Sequence, residues 1–315
     1  MKHIHLALLA IVLMTSCTIQ HGPIEPQVSH TVVPKELKHK ASPFEEPDSS
    51  KLSNEWNKER KIGSAFAQDM DLYRAITAYK RALVLLPIHD QQARLELQYH
   101  IVHCYYLGGK YQEVVSLFES SALSAASSDF PPFNDLLIML HDSYTKLGNE
   151  NKSQKVMSIL EQSSSGKAAD LRLSNALLQG TIEEVSTLSS DSPQRSYMAG
   201  SMEAYKKKAK SMRRAQVYNA LLPGSGYWYA GQKKSAITSF FLNSVFIAAA
   251  YNFFDNDHIA AGIFTTSLEL GWYIGGINGA GLAVKEYNER LYETQAKSIA
   301  KQELLFPVYM LEYNF

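Results

Sequence analysis

Two cysteines in 315 residues, Cys17 and Cys104, are too few for a disulfide framework. Net charge is absent too. The 31 basic residues balance 31 acidic ones, leaving no global field to hold nucleic acid or a strongly acidic substrate. Residues 18 to 222 contain no run apolar enough to span a bilayer. No nucleophile, base and orienting group can be assembled, so an enzyme is the least supported class and no cofactor is implied. A phosphate loop is excluded: Gly226, Gly231 and Lys233 approach the pattern, but Gln232 separates Gly231 from Lys233 and no strand precedes them. His100 and His103, beside Cys104, come close to metal-ligand spacing. Cys104 nevertheless holds a core-type position without a second ligand cluster, so no metal site is expected.

What is present begins with a targeting segment. Met1 to His5 is short and basic, and Leu6 to Met14 is an apolar run of nine residues, too short for a hydrocarbon core of about 30 Å. It ends at Leu13-Met14-Thr15-Ser16-Cys17, which resembles the lipobox of a bacterial lipoprotein signal peptide, with Met14 where Leu is usual. The resemblance implies a signal peptide over 1–17 and acylation of Cys17, for example by palmitate. It also implies a membrane-anchored, periplasm-facing place in the cell envelope, and Thr18 favours the outer membrane. An ordinary secretory signal or an uncleaved anchor is the alternative. With Cys17 acylated, Cys104 is expected to be a buried free thiol. Residues 18–50 carry Pro23, Pro26, Pro34, Pro43 and Pro47 in a polar stretch without helical period, which predicts a disordered tether.

Residues 51–195 repeat. Ile62, Gly63, Phe66, Ala75, Tyr79, Ala82 and Pro87 fall at the spacings of a helix-turn-helix unit of about 34 residues. Small residues at 63, 75 and 82 let two helices approach, while Phe66 and Tyr79 fill the space between them. Tyr105, Gly109, Tyr111 and Val114 begin a second copy, and Tyr144, Gly148, Ser153 and Leu160 a third. A degenerate fourth surrounds Gly180. The pattern resembles the tetratricopeptide repeat, although Glu59 stands where Trp is common. That resemblance implies a helical solenoid that binds a protein or peptide; an array that merely spaces or oligomerises is the alternative.

Residues 203–303 read as a basic helix feeding an apolar pair. Lys206, Lys207, Lys208, Lys210, Arg213 and Arg214 lie on one helical stretch, suited to anionic head groups or simply to solvent. Pro223, Gly224, Gly226, Tyr229 and Gly231 follow, then apolar segments 235–254 and 259–284 joined by Asp255 to His258. The spacing P-G-x-G-x-x-Y-x-G resembles the entry of small bacterial membrane hairpins of the TM2 type, as do Gly271 and Trp272 in the second segment. Reflection about the turn places Glu269 at the depth of Asn243 and Ser244 and predicts that it faces one of them. Gly262, Gly271, Gly275, Gly276, Gly279 and Gly281 are expected to allow close helix contact, Gly271 and Gly275 lying four apart on one face. Lysines and arginines flank both ends of the hairpin, which by the positive-inside rule conflicts with an exported N-terminus. Spanning, lying in the interface and packing as a buried hairpin therefore all stay open.

Residues 304–315 alternate Tyr309, Leu311, Tyr313 and Phe315, predicting a strand or an extended tail packed on its own domain. A lone strand of this kind resembles the last strand of an outer-membrane barrel but cannot make a barrel. The expected fold class is all-α: a tetratricopeptide-type solenoid followed by an apolar helical hairpin. The expected function is an envelope-anchored, non-enzymatic scaffold that binds a protein or peptide on its repeats and the membrane through its lipid and hairpin. The alternative is a component of an envelope transport or proton-coupled complex using Glu269.

Overall fold

Three helices in the first half of the chain start where a short side chain accepts an otherwise orphaned backbone N–H. Asp71 accepts from Arg74 at 3.2 Å, Asp90 from Ala93 at 3.3 Å, and Asn149 from Lys152 at 3.2 Å. A computed structural model describes residues 24–28, 40–45, 54–190 and 195–315, and every regular element among them is helical. Four successive pairs follow one another: α1 (Glu55–Gln68) with α2 (Leu72–Leu85), α3 (Gln91–Leu107) with α4 (Tyr111–Ser120), α5 (Phe133–Lys146) with α6 (Glu150–Ser163), and α7 (Ser165–Gln179) with α8 (Ile182–Ser190). Each helix packs on the next in sequence.

The turn within every pair is built alike. A residue with positive φ sits two positions before the second helix: Met70 at 62°, Gly109 at 66°, Gly148 at 70° and Gly180 at 79°. Glycine takes this left-handed conformation without a Cβ penalty, and Met70 is the exception. In the first pair a side-chain carbon added at Gly63 would lie 2.8 Å from the Tyr79 ring, so that ring fills the space a side chain would need. Ala75, Tyr79 and Ala82 are fully buried, Phe66 packs at the edge of the same cluster, and α2 ends ahead of Pro87. Arg60 and Glu96, both buried, pair at 3.1 Å and tie α1 to α3.

The chain divides into two compact units, one of Val28–Ala204 with Thr294–Phe315, the other of Met1–Gln27 with Tyr205–Glu293. The boundaries differ from those expected. Residues 294–303 belong with the helix pairs, where Glu303 accepts from Tyr197 at 2.7 Å and pairs with Arg195, which itself pairs with Asp170 at 2.6 Å. Disorder over 18–50 does not hold for Lys40–Glu45 either, because Phe44 packs among Tyr99, His100 and Phe130. Residues 18–23, 29–39 and 46–50, like Cys17, lie outside the described residues.

The second unit holds α10 (Met212–Leu221), α11 (Ser225–Ala230), α12 (Lys233–Asp255) and most of α13 (Ile259–Gln302), and α9 (Ser196–Lys208) runs into it. The single basic helix expected over 203–222 is broken at 209–211. There Asn288 brackets Lys210, accepting its backbone N–H and donating to its carbonyl, both at 2.9 Å. Residues 304–315 form no strand. They make one helical turn, α14 (Pro307–Met310), and continue as irregular extended chain.

Candidate functional site

The first helix of each pair contributes to one face of the first unit, and the C-terminal segment lies on that face. Asp135, in the first turn of α5, is almost fully buried, and its carboxylate accepts the Glu312 N–H at 2.8 Å and the Tyr313 N–H at 2.9 Å. Lys40 donates to the Tyr309 carbonyl at 3.0 Å and also to that of Leu311. Gln68 of α1 donates to the Phe315 carbonyl at 3.4 Å, and Asn314 donates its N–H to the Ala41 carbonyl at 3.0 Å. Lys167 of α7 lies 3.0 Å from Glu312. The polar contacts therefore read mainly the backbone of the segment.

Its side chains supply the apolar part. Leu311 enters the cluster of Val102, Leu136, Leu140 and Leu171, while Phe315 stacks on His103 with ring centroids 4.5 Å apart. The predicted alternation fails at Tyr313, which is half-buried while Asn314 turns inward. Burial pushes the Asp135 carboxyl up, and the two N–H donors and Lys167 act against it. Burial lowers Lys40, opposed by Asp135 and Glu312. Burial, then His100 and Lys40, hold His103 down at about 3.

The histidines that approach metal spacing are thus occupied by ring stacking, His100 on Tyr79 at 5.0 Å and His103 on Phe315. Among the described residues no group of His, Cys, Asp or Glu is placed to hold a metal ion. Cys104 is a buried free thiol, and burial raises its pKa. Other repeat positions lie on or beside the core. Tyr144 donates to Glu119 at 2.6 Å, Tyr105 accepts from Lys80 at 3.0 Å, and Tyr111 meets Tyr106 edge-on.

In the second unit the P-G-x-G-x-x-Y-x-G stretch is a packing device. Gly224 has φ 90° and Gly231 φ 95°. A side chain at Gly224 would run into the Ala236 carbonyl, and one at Gly226 into the Ala215 carbonyl and the Ala280 methyl. Pro223 and Gly224 join α10 to α11, with Asn219 accepting the Gly224 N–H at 2.9 Å. Tyr229 accepts the Ser211 N–H at 3.2 Å, closing the break after Lys210. Lys210 lies 4.0 Å from the Tyr287 ring centroid, so this lysine of the basic cluster faces an aromatic ring.

Helices α12 and α13, joined through residues 256–258, bury a few polar side chains and expose most of their large apolar ones. Ser239 and Asn243 are buried on α12, and Thr265 and Glu269 on α13. Outside, Phe241 is 64% and Phe264 66% exposed, against 2% for Asn243 and 9% for Glu269. A buried hairpin is therefore not what forms, and α12 alone among the described helices is both long and apolar enough to cross a membrane. Asn243 and Glu269, expected at one depth, are both buried but form no hydrogen bond with each other, and Ser244, the other residue expected at that depth, is exposed. The Asn243 amide donates to the Ser239 carbonyl at 2.6 Å, leaving Asn243 Oδ1 and both Glu269 oxygens without partners. Close contact at Gly271 and Gly275 is also overturned. Nothing lies within 4 Å of a side chain added at either, and with the half-exposed Trp272 they line a cleft of about 630 Å³. Of the other glycines expected to allow close contact, Gly262 lies against the Phe254 ring, Gly279 against Tyr227 and Gly281 against Gln216.

Asp135, Lys40 and Phe44 escaped sequence reasoning. The available signals were an acid inside the apolar stretch Phe133 to Leu140 and the lone aromatic of residues 18–50. Compared with family models, curated proteins and solved structures, the chain finds no match in any of the three.

Proposed function

We propose that the chain is an envelope-anchored, non-enzymatic scaffold: a tetratricopeptide-type array that binds an extended protein segment, joined to a hairpin that enters the membrane. The observation that carries it is the segment on the first-helix face, held through backbone N–H and carbonyl groups by Asp135, Lys40 and Gln68. Backbone reading of this kind suits any extended chain of matching side-chain pattern. The four like turns and the Gly63–Tyr79 fit support the repeat reading.

The inverted polarity of α12 and α13 supports the membrane reading. Exposed phenylalanines cost free energy in water and none in hydrocarbon, whereas buried Asn243 and Glu269 are the groups that hydrocarbon would penalise. Acylation of Cys17 rests on the sequence and supplies a second anchor. Flotation with phospholipid vesicles tests this. The chain with Cys17→Ser is expected to float, and adding Phe241→Asp with Phe264→Asp should abolish flotation. Equal recovery of both variants would contradict a hairpin in lipid.

The unpartnered carboxylate of Glu269 favours a second reading, a proton-coupled component. In the same vesicles under an imposed pH gradient, the scaffold reading expects identical proton leak from wild type and Glu269→Gln. A leak lost in Glu269→Gln supports the second reading.

A further inference from the structure

Resting on the scaffold reading, the geometry points to a particular ligand: the face built by α1, α3, α5 and α7 takes an extended segment with leucine and phenylalanine four residues apart and an acidic residue after the leucine. Residues 311–315 hold this site in cis until a partner protein's segment of that chemistry displaces them.

Three features describe how the segment is seated and joined to the fold. First, one carboxylate, Asp135, accepts from two consecutive backbone N–H groups, and Lys40 and Gln68 donate to carbonyls on either side. Second, the side-chain demands are local: an apolar slot for Leu311, an aromatic stack for Phe315, and Lys167 at 3.0 Å for the acid between them. Third, the segment departs from α13 at Leu304, which is 58% exposed and has φ 54°. Leu304 is the left-handed cap residue of α13, with the Leu305 N–H reaching back to the Ala300 carbonyl at 2.8 Å, so an exposed helix end joins the segment to the fold.

Cleavage of the folded full-length chain gives the test. A protease site replacing Glu303 and Leu304 is cut after purification, leaving the tail bound without a covalent link. Fluorescein-labelled peptide of residues 304–315 is then added and followed by anisotropy, with a Leu311→Ser, Phe315→Ser peptide as control. The proposal expects exchange of the bound tail for the labelled peptide, at least tenfold weaker binding of the control, and at least tenfold loss in Asp135→Ala. Leu311→Ser in the uncut chain should keep the helical circular dichroism and raise peptide affinity tenfold or more.

Loss of helix on cutting, or in the uncut Leu311→Ser chain, would show the tail to be core and overturn the proposal. Dimers formed by swapped tails with no uptake of peptide would overturn it too. If the cut chain takes up wild-type and control peptides equally, the ligand assignment fails while peptide binding by the repeats stands. If it sheds its tail and takes up neither, the scaffold reading falls as well.

Discussion

His103 shows how one side chain couples the repeat unit to pH. An unfolded histidine titrates near 6.5, and burial against Phe315, with His100 and Lys40 nearby, lowers the folded value to about 3. Between these values the unfolded chain binds a proton that the folded chain does not. The contribution is therefore complete above about pH 6.5 and is lost as pH falls toward 3. Melting of the wild type from pH 7 to pH 5 should show a falling midpoint, and His103→Phe should show a shallower fall. Parallel pH curves would contradict the assignment. Part of this scale was legible beforehand. Gly63 and Tyr79 stand at repeat spacing because one receives the ring of the other, and Gly109 and Gly148 mark turns that require positive φ. Asp135 was not legible, since its strongest backbone partner lies 177 residues away in the sequence.

Among elements, the sharpest contrast lies between glycines of one motif region. Gly226 permits α11 to lie against Ala215 and Ala280, whereas Gly271 faces open space. Gly226→Ala should destabilise the second unit by about 1–3 kcal/mol through overpacking. Gly271→Ala should be neutral or stabilising by up to about 1 kcal/mol through helix propensity. Chemical denaturation in detergent measures both, and a destabilising Gly271→Ala would contradict the packing described. Helix existence and the turn at residues 256–258 followed from apolar length and the Asp255 to His258 interruption. The depth match of Asn243 with Glu269 placed both among the inward polar residues, yet it could not give their bonding. The carbonyl of Ser239, one helical turn away, captures the Asn243 amide first. Small-residue spacing likewise named all six glycines of α13 alike and could not separate Gly262 and Gly279, which meet bulky rings, from Gly271 and Gly275, which meet nothing.

For the whole molecule, a division into two units was legible as a change of composition near residue 203, but the boundary was not. The last turns of α13 and the tail return to the repeat unit through Arg195, Tyr197 and Asp135. Local patterning carries no information about such long-range returns. The proposed division gives one unit a hydrocarbon-facing pair of helices and the other a surface already carrying an extended segment. The most direct test of that surface is amide hydrogen exchange at Glu312 and Tyr313 in the full chain bound to vesicles. Both amides should exchange slowly in the free chain, because Asp135 holds them, and should accelerate as peptide 304–315 is added to saturation. Slow exchange unchanged at saturating peptide would contradict the account.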